Sequence, residues 1–224
     1  LTYQPMSRIG IIGTDGLALD LLTVLDDTLG THYPSLATQE REDVIVTDDP
    51  WQATAAGLKA CAVDEWVATT TASDFFAITE GNGKARQALS EIVKSSAARP
   101  LAMIHPTTEV RGNKWQDMGA VIGQYSFFCD VESIGQHFMC GAFTIFGPGT
   151  RVGNFVTAGH RVVCEANVIV EDNVTIEQSA VIAAGTAGTP LRIGTGATIK
   201  AGTFVTADVP AGALVAAPRK EHES

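Results

Sequence analysis

From Ile122 onward, every sixth residue is apolar or cysteine: Ile122, Phe128, Ile134, Cys140, Phe146, Val152, Ala158, Cys164, Val170, Ile176 and Ile182. An amphipathic helix needs apolar spacings of three and four, and a half-buried strand needs two, so a period of six fits neither. It fits a short-repeat solenoid, in which each hexapeptide gives one short strand and one turn. Three hexapeptides close a triangular coil whose sixth-residue side chains point inward. One coil cannot bury its apolar side alone, so coils stack and pair their backbones. The register breaks over residues 183–191 (AAGTAGTPL) and resumes at Ile193, Ile199 and Val205. A glycine follows many inward positions (Gly123, Gly135, Gly147, Gly153, Gly159, Gly194), which predicts corners of positive φ there.

The first hundred residues follow another pattern. Residues 8–16 (RIGIIGTDG) form an apolar strand running into a glycine-containing turn, and residues 17–29 place Leu17, Leu21, Leu22, Val24 and Leu25 on one helical face. Residues 44–47 predict a buried strand, with further strands at 66–69 and 75–79 and an amphipathic helix over 83–96. Strands alternating with helices imply a parallel sheet, whose ligands sit off the carboxyl ends of the strands. The expected division is a Rossmann-like α/β unit over 1–103 and a parallel β-helix over 104–224.

The balance of 15 basic to 25 acidic residues gives a net charge of −10, a field that opposes nucleic-acid and anionic-membrane binding. Four scattered cysteines do not make a secreted disulfide framework, and neither a signal segment nor a bilayer-length apolar run is evident. A cytoplasmic protein is expected.

Taken together, the V/I-G-x-x-x-x repeats, IGIIGTDG, TDDP, AITEGNGKAR, AMIHPTTEV and the closing VTADVPAG…VAAPRK resemble the left-handed β-helix acyltransferases. Within these, the chain looks like the nucleotide-sugar acetyltransferases of the sialic-acid O-acetyltransferase and bacillosamine N-acetyltransferase type. The resemblance implies a left-handed β-helix, a homotrimer, and acetyl-CoA as co-substrate in the groove between subunits. It implies a sugar or nucleotide-sugar held by Gly13, Asp15 and Gly16 in the first turn, Asp48 and Asp49 after the second strand, and Asn82, Lys84 and Arg86 in the third loop. A glycine-rich turn lets backbone N–H groups approach phosphate, and carboxylates accept from a base or ribose. Leu17 departs from the histidine that many relatives carry. For the coenzyme, the resemblance points to the late coils, where Gly185, Thr186, Arg192, Lys200, Gly202, Arg219 and Lys220 lie; cations there suit its phosphates.

Relatives often carry a catalytic histidine between acidic residues. Matching the repeats puts that triplet on Gly147-Pro148-Gly149, or one coil later on Glu165-Ala166-Asn167, and neither holds a histidine. His160 occupies the same place within its hexapeptide as the missing base, which makes it the catalytic candidate, but it lies on a different edge of the prism, where a structural or surface histidine is the alternative; His137 is weaker and His105 is expected to order the junction. Without a base, N-acylation is favoured over O-acylation, with the N–H groups of 147–149 polarising the thioester carbonyl. The alternative is a trimeric sugar-nucleotide-binding or scaffold protein that has kept the fold without the chemistry. His137 with Cys140 and His160 with Cys164 have ligand-like spacing, but the cysteines fall on inward positions, so no metal is expected.

Overall fold

A computed structural model of the chain describes residues 7–13, 25–32, 41–47, 59–112 and 118–217. Its N-terminal part is a parallel sheet of β1 (Ser7–Ile12), β2 (Arg41–Val46), β3 (Lys59–Cys61), β4 (Phe75–Ile78) and β5 (Arg99–Pro100), in the order β3-β2-β1-β4-β5. Helices α1 (Leu25–His32), α2 (Val63–Thr69) and α3 (Gly83–Val93) accompany it. The predicted strands at 44–47 and 75–79 and the helix at 83–96 are present; the start of the predicted first helix lies outside the described residues.

Residues 66–69, predicted as a strand, are helical instead. Val63 and Trp66, three apart, are the buried residues of α2, while Asp64 and Glu65 in its first turn suit the positive end of the helix. Trp66 lies on Gly10 of β1, where a Cβ would stand 2.6 Å from the ring, and the Arg8 guanidinium sits 4.9 Å from the ring centroid. Tertiary packing of one large side chain thus overrides the local strand preference of Trp-Val-Ala-Thr.

The chain coils from Met103 onward into three parallel sheets that form the faces of a prism. Among the described residues the first face has seven strands, from Met103–Ile104 to Leu214–Val215; the second has six and the third four. Cys140 pairs with Ile122 and Ala158, eighteen residues away on either side, as three hexapeptides per coil require. Ile176 pairs with Ile199, twenty-three residues on, because the extra residues of 183–190 leave at the corner between second and third faces. Every inward position of the six-residue register is buried, and Phe128 and Phe146 stack one coil apart at 5.4 Å.

The corner glycines serve a purpose other than the predicted one. Gly123, Gly147 and Gly159 do not have positive φ; a Cβ on them would stand 2.5–2.8 Å from the backbone of the next coil. Close stacking of coils, not backbone handedness, excludes a side chain there. Left-handed φ falls two residues after each such glycine, on Tyr125 (54°), Gly149 (71°) and Arg161 (57°), and also on Phe143 (59°) and Phe155 (57°).

The N-terminal sheet docks on the first face. Ile9, Ile11, Leu25, Leu29, Ile45 and Ala77 form one core with Met103, Val121 and Met139, which project outward from the first three strands of that face. Arg86 of α3 completes the seam. It is 1% exposed and donates through Nε to His137 O (2.8 Å) and through Nη2 to Val156 O (3.1 Å) and Thr157 Oγ1 (2.9 Å), with Nη1 on Glu80 O. His137 is stacked between Phe76 and Phe155, with centroids 6.2 and 5.6 Å away. Burial, aided by the Arg86 charge, pushes its imidazole pKa down to about 4.

Candidate functional site

A cavity of about 460 Å³ lies where the docked sheet meets the first face. Its apolar wall is Met103, Val121 and Met139, the outward neighbours of inward positions. The loop after β4 supplies Gly81, and α1 supplies Thr28, whose fully buried hydroxyl has no hydrogen-bond partner. The corner between first and second faces supplies Gln124, Gly141, Ala142, Gly159 and His160, and the entry to the coil supplies His105. The loop after a strand of a parallel sheet is where such sheets hold ligands.

The orientation of His160 follows from the stacking of coils. At the second residue of a corner, a polar side chain accepts the backbone N–H of the matching residue one coil earlier. Asn154 Oδ1 takes Gln136 N–H at 2.9 Å, Asp172 Oδ1 takes Asn154 N–H at 2.7 Å, and His160 Nδ1 takes Ala142 N–H at 3.0 Å. The ring lies across Gly141, where a Cβ would be 2.6 Å from Nδ1. A nitrogen that accepts from an amide must offer its lone pair, so the neutral ring carries its proton on Nε2. The general-base role expected of His160 therefore does not fit this arrangement, since the nitrogen left over is a donor. His105 is bound in the same way: Thr107 N–H reaches its Nδ1 at 3.2 Å, and Thr107 Oγ1 lies 2.8 Å from it.

The other expected residues are scattered. Gly13 is buried at the end of β1, with no room for a side chain because of Thr79. Asn82 caps α3, accepting Ala85 N–H at 3.1 Å, and Lys84 is exposed in the first turn of that helix. Arg86, expected to touch substrate, is instead held by protein carbonyls within the seam. Asp15, Gly16, Asp48, Asp49, Arg219 and Lys220 lie outside the described residues. The late cations are engaged: Arg192 pairs with Glu171 at 2.7 Å, and Lys200 pairs with Glu177. Each of these carboxylates also takes a backbone N–H of the next coil, from Thr195 and Ala201. Gly185 donates to Ala166 O, Gly202 donates to Gln178 O, and exposed Thr186 closes a small loop with Thr189.

The expected carbonyl-polarising turn is also unavailable for that task. Gly147 N–H donates to Cys164 O at 2.8 Å, Gly149 N–H donates to Asp130 O at 3.1 Å, and Pro148 has no N–H. Cys140 and Cys164 point into the core, where burial raises both thiol pKa values, that of Cys140 to about 12. No group of three His, Cys, Asp or Glu that could hold a metal occurs among the described residues. Nor is any helix among them long and apolar enough to cross a membrane.

Sequence reasoning missed Thr28, Gln124 and the Met103-Val121-Met139 wall. The wall had a signal: on the first three strands of the first face the residue just before the inward position is itself apolar, whereas Thr157, Thr175 and Thr198 stand there on the next three. Those three outward apolar residues are the ones that the N-terminal sheet covers.

The class defined by this architecture is the left-handed β-helix preceded by a small parallel α/β sheet. No protein-family model matches the chain, and no curated protein sequence matches it. Among solved structures, WeeI from Acinetobacter baumannii AYE is similar, with 22% identity and a TM-score of 0.76 over 95% of this chain and 97% of that one. The acetyltransferase domain of PglB from Neisseria gonorrhoeae FA1090, in complex with acetyl coenzyme A, gives 19% identity and a TM-score of 0.60 over 95% and 97%. PerB from Caulobacter crescentus, in complex with CoA and GDP-perosamine, gives 17% and 0.62 over 94% of each chain.

Proposed function

We propose that this chain is an acyl-CoA-dependent acyltransferase that moves an acetyl group from acetyl-CoA to a sugar or nucleotide-linked amino sugar. The observation that carries the reading is the cavity at the seam. There the loop after β4, the part of such a sheet that holds ligands, faces histidine-bearing coils of the β-helix. Its support comes from similar structures that hold acetyl coenzyme A, or CoA with GDP-perosamine.

In the reaction, the amine nitrogen attacks the thioester carbonyl carbon. The C–N bond forms, the C–S bond breaks, and CoA leaves as the thiol. An amine attacks without a side-chain base more readily than a hydroxyl, its proton passing to water, so N-acylation is the favoured outcome. In this scheme Gly13, Asp15, Gly16, Asp48, Asp49, Asn82 and Lys84 serve the nucleotide, and Arg219 and Lys220 the coenzyme phosphates, with residues 1–103 as the nucleotide-sugar unit.

The working unit is a homotrimer. Its support is the column Phe127, Ile145, Val163, Val181 and Phe204 on the outside of the second face, where Ile145 and Phe204 are 41% and 65% exposed. A continuous apolar column on a parallel sheet suits burial against another copy. Four free cysteines fit a cytoplasmic setting.

The test is thiol release from acetyl-CoA with a panel of UDP-, GDP- and dTDP-linked amino sugars, alongside thermal melting and light scattering for the trimer. No melting shift with any CoA thioester sinks the reading. The bare turn at 147–149 favours one alternative, a scaffold that binds the nucleotide sugar without turnover. That alternative predicts a melting shift with a nucleotide sugar and no thiol release.

A further inference from the structure

We propose that His105 and His160 form a fixed pair of Nε2–H donors that hold an oxygen of the acceptor substrate in the seam cavity, and that neither removes the proton of the attacking amine. The inference deepens the acyltransferase reading and rests on it for the identity of the reaction.

Both rings line the same cavity, and in both the Nδ1 atom accepts from a backbone amide: Ala142 N–H at 3.0 Å for His160 and Thr107 N–H at 3.2 Å for His105. A backbone amide can only donate. Each neutral ring is therefore held as the Nε2–H tautomer. Asn154 and Asp172 perform the same coil-to-coil cap with a side-chain oxygen. A histidine that caps with Nδ1 keeps a second polar atom on the other side of its ring, which points a use beyond capping. Gly141 under the His160 ring leaves the space in which the ring lies.

A third observation is independent of the rings. Thr28 is fully buried, lines this cavity, and its hydroxyl has no partner. A buried hydroxyl without a partner costs stability, and a ligand oxygen would satisfy it. Two N–H donors and a hydroxyl beside the Met103-Val121-Met139 wall suit a ligand with an apolar face and acceptor oxygens. A sugar hydroxyl and a diphosphate oxygen share that chemistry.

The experiment is ring-¹⁵N NMR of the full-length, histidine-labelled protein, titrated separately with UDP or GDP and with an amino sugar. Both rings are expected as Nε2–H tautomers, with those N–H resonances moving on ligand addition. Movement with the nucleoside diphosphate alone assigns the phosphate; movement with the amino sugar alone assigns the hydroxyl. An Nδ1–H tautomer, or no movement with either ligand, overturns the pair.

Kinetics supply the second arm through His160→Asn, whose Oδ1 keeps the cap on Ala142. The melting temperature should stay within about 2 °C. The acceptor KM should rise about tenfold while kcat stays within about threefold and the pH profile keeps its shape. A kcat loss above about a hundredfold, with disappearance of the acidic limb, would make His160 the base and end the proposal. If the wild-type chain releases no thiol with any acceptor, the acyltransferase reading fails on its own, and the ¹⁵N titration still decides the donor pair.

Discussion

Two sides of one prism are built from the same hexapeptide and end up chemically different. The first face and its flanking corners carry the docked sheet, the buried Arg86 and His137, and the cavity with His105 and His160. The corner between second and third faces carries Gly147-Pro148-Gly149, with Pro148 exposed and both glycine N–H groups engaged by neighbouring coils. The repeat sets which atoms point outward on every edge. What docks against an edge decides whether those atoms become a site.

The comparison can be broken most forcefully at the seam. Arg86→Ala leaves the carbonyls of Glu80, His137 and Val156 without their guanidinium donor. Urea unfolding should show a loss of about 4 kcal/mol. A loss below about 1 kcal/mol would mean that the sheet and coil do not depend on this residue.

His137 predicts a pH dependence confined to the same side. Its folded pKa of about 4 lies below the ordinary value of 6.5, so the unfolded chain binds the proton more readily. Its contribution is complete above pH 6.5 and is lost progressively as pH falls to about 4, a change of about 3 kcal/mol. His137→Phe, which preserves the stack with Phe76 and Phe155, should flatten that part of the stability–pH curve. An unchanged slope in the variant would place the titration elsewhere.

A smaller effect separates the two corners directly. Gly141→Ala drives a methyl group against His160 Nδ1 and should cost about 2 kcal/mol, with loss of ligand-induced movement of the His160 resonance. Full ligand response in that variant would show that the ring does not need its glycine floor. The smallest expected effect is a gain. Pro148→His places an imidazole on the exposed corner where the family resemblance puts a base, and thiol release should rise about tenfold with little change in melting. A folded variant with no rate gain would mean that this corner does not meet the reacting atoms.

The six-residue period alone determined the coil, its inward column and the place of the inserted loop. Side-chain direction in a stacked solenoid is fixed by position in the repeat, so the core was legible without coordinates. The parallel sheet was legible in outline, but Trp66 was misplaced because its burial against Gly10 is a long-range fact. The glycines were correctly marked as corner residues for the wrong reason, since only stacked coils reveal the approach of the next backbone.

The site depended almost entirely on tertiary structure. His160 was visible as a residue, but its tautomer is set by Ala142, a full coil away, and its cavity by Gly81 and Thr28 from the N-terminal sheet. Arg86 read as a ligand contact until its donors were found on three protein carbonyls. Sequence fixes what a side chain can donate or accept. Only the fold decides which of those capacities are already taken by the protein and which remain for a substrate.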